Sequence, residues 1–185
     1  METISRVHPE FIRSAKYIDG LPIPSSKELL KQCGEIEESC PARLSTLIHG
    51  DFNTNNILVN TLDQTINYID FYRTKEADYI QDASVFLVSN FRMPVFESEL
   101  RRRLNWIIEQ CYKFFTDFAH THSDETFEMR MALALARSFY TSTRFELNHQ
   151  FARDMFTRSH YLMEKILAHK GSREGFTFPR HVLYY

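Results

Sequence analysis

The stretch Leu47-Ile48-His49-Gly50-Asp51-Phe52-Asn53-Thr54-Asn55-Asn56-Ile57-Leu58-Val59 constrains this chain more than any other. Apolar runs at 45–48 and 56–60 read as short strands, and the polar residues between them must form a loop. Leu62-Asp63-Gln64 reads as a turn and 66–71 as a third run, so the second and third runs predict a hairpin.

The loop carries chemistry. His49, Asp51 and Asn56 satisfy the spacing His-x-Asp-x-x-x-x-Asn, and Asp70 closes the third run. Hairpin pairing would return Asp70 to the side of Asn56, so a carboxylate, a carboxamide and a second carboxylate would converge. Phosphoryl transfer from a metal-bound nucleotide uses that set: one carboxylate orients the attacking hydroxyl, while an amide oxygen and the other carboxylate hold Mg²⁺. Mg²⁺ takes one or two carboxylates plus substrate phosphate oxygens, which suits so sparse a ligand set. An Asp-x-x-x-x-Asn pair alone is weaker, because Asn-rich loops often only make turns.

The rest of the chain reads as mostly helical. Ser25 and Glu28 fit a capping box before a helix over 27–38, which Pro41 ends, and a short helix is expected around 9–17. From about residue 77 the period is helical. A nearly all-apolar helix covers 78–91. Ser98 caps the next, with Leu100, Leu104, Ile107, Cys111, Phe115 and Phe118 on one face. Ser123 caps a third, with Phe127, Met131, Leu135 and Phe139, and a fourth spans 151–169 with Gly171 as its stop. Trp106 and the Phe/Tyr stripe read as core. The expected architecture is α+β and mostly helical: a lead-in over 1–44, the loop and hairpin over 45–76, helices over 77–169 and a tail over 170–185, all in one domain.

Composition narrows the function classes. Only 5 Gly and 6 Pro argue against a turn-rich all-β fold. A net charge of -2 suggests no nucleic-acid partner, and Arg101-Arg102-Arg103 reads as the solvated start of a helix. Cys33, Cys40 and Cys111 form no CxxC pair, so they read as free thiols in a reducing compartment. With no signal pattern at the N-terminus, the expected location is cytoplasmic. The apolar run at 131–136 is too short for a membrane span, which takes about 20 residues. His120 and His122 lie two apart, off a common helix face and without a third ligand.

The residues His49-Gly50-Asp51-Phe52 and Asn56-Ile57-Leu58, with Ile69-Asp70-Phe71 and Ala77-Asp78-Tyr79-Ile80-Gln81-Asp82-Ala83-Ser84, resemble the aminoglycoside phosphotransferase and choline kinase family, relatives of protein kinases. The likeness is detailed over about 45–90 and extends to 169 as a pattern of helices. It implies the C-terminal lobe of the protein-kinase-like fold. It also implies Asp51 as the catalytic base, His49 as a loop support and Asp82 as a brace through the loop's backbone amides. Asn56 and Asp70 would be the Mg²⁺ ligands and ATP the phosphoryl donor, with a small-molecule alcohol as acceptor. Asn53-Thr54-Asn55 replaces the family's usual His-Pro-Gly, and Asn55 in the Gly place suits a left-handed conformation. Tyr72 stands where a small or acidic residue is common.

No Gly-x-Gly-x-x-Gly and no strand of the Val-Ala-Ile-Lys kind precedes His49, so the resemblance omits the N-terminal β lobe that clamps the nucleotide. Three explanations compete: a fragment of a larger kinase, a protein that recruits the missing lobe from a partner, or a stand-alone binding module without turnover. A metal-dependent phosphohydrolase is a further rival. An exposed apolar cleft around 57–71, open to a missing lobe or a dimer partner, is expected if nothing covers it. Asp124, Glu125, Glu128 and Glu146 would suit a cationic acceptor or form a solvated face.

Overall fold

The computed structural model describes residues 2–185. Among the described residues six α-helices dominate, and six strands of three or four residues pair in antiparallel twos, so the fold is α+β and mostly helical as expected. The chain divides into two compact units.

One unit joins the chain up to Pro41 with Glu128–Phe178. It contains α1 (Glu2–Val7), β1 (Lys16–Ile18), β2 (Leu21–Ile23), α2 (Ser26–Glu38), most of α5 (Phe127–Ser142) and α6 (His149–Ala168). The capping box before α2 forms: Ser25 Oγ accepts from the Glu28 amide at 3.2 Å, and the Glu28 carboxylate accepts from the Ser25 amide at 2.7 Å. Leu29 and Cys33 of α2 and Phe151, Met155, Leu162 and Ile166 of α6 are buried at helical spacing. Each such side chain contributes roughly 1.5–3 kcal/mol. Burial also pushes the Cys33 thiol up to about 12, marking it as packing rather than chemistry.

Three expectations about these helices change. The helix around 9–17 is replaced by a 3₁₀ turn at Pro9–Phe11 and the β1–β2 hairpin. Asp19 and Gly20 join those strands at φ 49° and 79°, the two left-handed residues that an Asp-Gly hairpin turn provides. Ser123 does not cap α5; it takes φ 54° in the preceding turn. Asn148 caps α6, accepting from the Phe151 amide at 3.1 Å, so that helix starts at His149 and ends at Ala168 ahead of Gly171.

The other unit holds Ala42–Phe127 and Pro179–Tyr185. Its elements are β3 (Ser45–Ile48), β4 (Ile57–Asn60), β5 (Thr65–Tyr68), β6 (Lys75–Asp78), α3 (Ile80–Phe91) and α4 (Ser98–Thr121). The hairpin forms in register from Ile57↔Tyr68 to Asn60↔Thr65. The third run is shorter than expected, ending at Tyr68. No sequence pattern announces β6, because Lys75-Glu76-Ala77-Asp78 has little apolar character; it pairs with β3 from Ser45↔Asp78 to Ile48↔Lys75.

The buried stripe of α4 is Arg101, Leu104, Ile108, Tyr112 and Ala119, turned from the face that apolarity alone predicts. Arg101 is not solvated: its guanidinium donates to the carbonyls of Phe91, Met93 and Val95 at 2.7–3.0 Å, meeting the orphan acceptors where α3 ends. Glu97, rather than Ser98, caps α4 by accepting from the Glu99 and Leu100 amides. Trp106 is 61% exposed and is not core. The expected tail is packed in part: Val182 and Leu183 are buried, and the Tyr185 ring meets Phe91 edge-on at 6.1 Å. Among the described residues no helix is long and apolar enough to cross a membrane.

Candidate active site

The loop between β3 and β4 hangs on α3. Asp82, in the first turn of α3, accepts from the His49 amide at 2.6 Å and the Gly50 amide at 2.9 Å. Ser89 Oγ accepts from the Thr54 amide at 3.2 Å, and Phe52 stacks on Phe86 at 5.2 Å. Side chains one to two turns apart on one helix therefore hold both ends of the loop.

Gly50 has φ +82°, and a Cβ there would lie 2.3 Å from the Arg73 carbonyl oxygen. Only glycine meets both conditions. This close approach seats the loop against the turn after β5.

His49 links the same two segments. Its Nδ1 accepts from the Asp51 amide at 3.3 Å, and its Nε2 lies 2.8 Å from the Ile69 carbonyl. An amide only donates and a carbonyl only accepts, so the ring proton sits on Nε2. The buried imidazole thereby ties Asp51 to the residue preceding Asp70.

Asn56 is 8% exposed. Its Nδ2 donates to the Asp51 carbonyl at 2.9 Å, and its own carbonyl accepts from the Ile69 amide at 3.1 Å. The side-chain nitrogen is thus committed, while Oδ1 accepts no hydrogen bond among the described residues. Asp70 adopts the left-handed conformation, φ 69° and ψ 49°, and its exposed carboxylate caps nothing. A non-glycine residue in that region costs about 1 kcal/mol or more, and such strain concentrates at functional positions. The left-handed conformation expected at Asn55 lies instead at Asp70, and Asn55 sits in a 3₁₀ turn, Thr54–Asn56.

Asn53 is the residue that sequence reasoning undervalues. Its Nδ2 bonds the Asp51 carboxylate at 3.1 Å and its Oδ1 caps the 3₁₀ turn through the Asn55 amide at 2.9 Å. Arg73 escapes sequence reasoning altogether; its guanidinium lies 3.3 Å from Asp51 Oδ2. No periodicity points to Arg73, and its role depends on the turn that carries it back over the loop.

Asp51 and Asn56 thus share one hydrogen-bonded loop braced by His49 and Asp82, and Asp70 follows Ile69, whose amide and carbonyl bond Asn56 and His49. The set fits Mg²⁺, since it offers hard oxygen donors, the Asn56 Oδ1 and the Asp70 carboxylate, with no competing partner. Beside the loop lies a cavity of about 350 Å³ with an apolar wall of Leu47, Ile48, Phe71, Tyr79 and Phe115. The apolar side chains expected around 57–71 are indeed exposed, Leu58, Val59, Ile66, Tyr68 and Phe71 among them.

The acidic residues downstream are mostly engaged in structure. Tyr79 Oη donates to Asp124 at 2.7 Å, Glu128 accepts from the Phe178 amide at 2.7 Å, and Glu146 accepts from the Asn148 amide at 2.8 Å.

Comparison with known proteins gives one match. The profile described as the phosphotransferase enzyme family matches residues 18–115, a span that contains every residue of the cluster. No curated protein and no solved structure gives a match.

Proposed function

The chain belongs to the phosphotransferase enzyme family, and from that premise we propose that it serves transfer of the ATP γ-phosphoryl group to a hydroxyl of a small molecule. In this reading residues 45–121 act as part of a kinase-like C-terminal lobe. Asp51 lies beside the acceptor hydroxyl and receives its proton as the oxygen attacks the γ-phosphorus. The bond from that phosphorus to the bridging oxygen breaks, and ADP leaves. Asn56 Oδ1 and Asp70 would hold Mg²⁺, which supplies charge neutralisation at the phosphates. His49 and Asp82 keep the loop rigid, and Arg73 brings a positive charge to the place where phosphate charge develops.

One observation carries the reading: Asn56 spends its nitrogen on the Asp51 backbone and leaves its oxygen free, while its backbone carbonyl holds the residue before a strained Asp70. A turn-forming Asn would not need that arrangement. The exposed apolar side of the β4–β5 hairpin supports the idea that a nucleotide-clamping lobe, or a partner, covers it in the active assembly. Without a Gly-rich clamp in this chain, turnover by the chain alone is expected to be weak.

Binding is therefore the first test. A fluorescent ATP analogue titrated with Mg²⁺ should bind metal-dependently to the chain, and Asp70→Ala should remove that dependence. Asp51→Ala should keep binding and abolish transfer to a panel of hydroxyl acceptors. Phosphate release from monoesters without nucleotide would favour a phosphohydrolase. Folded protein that binds no nucleotide would favour a silent binding module.

A further inference from the structure

A second cluster of ligating side chains lies in the unit formed by the chain up to Pro41 and Glu128–Phe178, and the phosphotransfer reading does not use it. His8 and Glu10 flank Pro9 at the first 3₁₀ turn, and His149 opens α6. One ligand atom from each lies within 4.8 Å of the others. Glu10 Oε1 is the hub, 2.6 Å from His149 Nε2 and 3.5 Å from His8 Nδ1.

The orientation of His8 points to a cation. Its ring is 6% exposed and stacks on Phe11 at 4.7 Å, so it is held in place. Its Nε2 lies 3.1 Å from the Glu146 carbonyl, which can only accept, so Nε2 carries a proton. That leaves Nδ1 directed at Glu10 Oε1 at 3.5 Å, where either a ring proton or a metal ion can stand between the two atoms. Metal-bound histidines are oriented in the same manner, with the second nitrogen donating to a carbonyl.

We propose that His8, Glu10 and His149 form a binding site for a divalent transition-metal ion of the zinc class, which pins the 8–11 segment to the start of α6. Two imidazoles and one carboxylate favour Zn²⁺ over Mg²⁺, whose preference is for oxygen. Bonds of about 2.0–2.1 Å in a tetrahedral arrangement place ligand atoms roughly 3.3 Å apart. Glu10 and His149 have exposed side chains, which leaves them room to rotate toward that spacing. The same exposure leaves outer coordination positions open to water or a small anion.

The test uses the whole chain after removal of metal. Co²⁺ absorption and Zn²⁺ competition against a chromophoric chelator should report one equivalent bound at micromolar affinity or tighter, with a rise of several degrees in Tm. His149→Ala, at an exposed position, should weaken binding at least about 100-fold while the circular dichroism stays that of the parent. Glu10→Gln should do the same, and Cys111→Ser should not. Millimolar Mg²⁺ should fail to compete. Absence of stoichiometric Zn²⁺ binding, or binding that survives both variants, would overturn the proposal and leave the cluster as an imidazole–carboxylate pair. Loss of nucleotide binding elsewhere would not affect this readout, so the two readings fail separately.

Discussion

The guanidinium of Arg73 stands 3.3 Å from the carboxylate of Asp51, and both side chains reach water. Exposed pairs of this kind contribute at most about 1 kcal/mol to stability. Arg73→Met is therefore expected to leave the thermal midpoint within about 3 °C of the parent, measured by calorimetry. If the charge serves the reaction, the same variant loses phosphotransfer by roughly 10²-fold in the active assembly. A clearly lowered thermal midpoint with an unchanged transfer rate would reverse the assignment.

Gly50 and Gly34 should respond in opposite directions to alanine. At Gly50 the left-handed backbone and the 2.3 Å approach to the Arg73 carbonyl make a Cβ intolerable. Gly50→Ala should cost at least about 2 kcal/mol. Gly34 lies inside α2, and an added Cβ there would meet nothing within 4 Å. Gly34→Ala should therefore stabilise by roughly 0.5–1 kcal/mol. Urea midpoints measure both.

Asp82→Asn isolates the brace under the loop. Asparagine keeps one acceptor but presents an amide group to the second N–H donor, so one of the two bonds at His49 and Gly50 is lost. A cost of about 1–3 kcal/mol is expected. Hydrogen exchange should quicken at the His49 and Gly50 amides, while amides of α6 keep their protection. Unchanged exchange at those two positions would show that the loop is held by other contacts.

His160 gives the protein an acid-sensitive core. Its Nδ1 donates to the Phe156 carbonyl at 3.0 Å and its Nε2 accepts from Ser26 Oγ at 2.8 Å, so the ring is buried neutral. Burial pushes its pKa down from 6.5 to about 4, with the nearby Arg13 guanidinium acting in the same direction and the Phe156 carbonyl and Glu164 opposing. The folded value lies below the unfolded one, so the unfolded chain binds the proton more tightly. The stabilisation is present above pH 6.5 and is lost as the pH falls toward 4. A loss of about 2 kcal/mol between pH 7 and 5 is expected by urea titration, and His160→Gln should flatten that slope.

Much of the site was legible because its residues sit close together in the chain. The strand–loop–strand pattern placed Asp51 and Asn56 on one loop, and the hairpin returned Ile69, the residue before Asp70, to the Asn56 carbonyl. The capping box at Ser25 and the apolar period of α3 were equally local signals. Less legible were elements whose residues lack an apolar pattern. β6 forms because β3 offers a free edge, and Arg101 is buried because three carbonyls await it where α3 ends.

By itself the sequence determined the mostly helical α+β class, the loop motif between the apolar runs and the phosphotransferase family, since all three rest on short-range spacing. Only the tertiary structure decided that Asp70 carries the backbone strain, that Arg73 lies over Asp51, and that His149 meets Glu10 across 139 positions of chain, with His8 beside them. Those relationships arise where distant segments close on one another, and the local chemistry of a segment does not encode what will be packed against it.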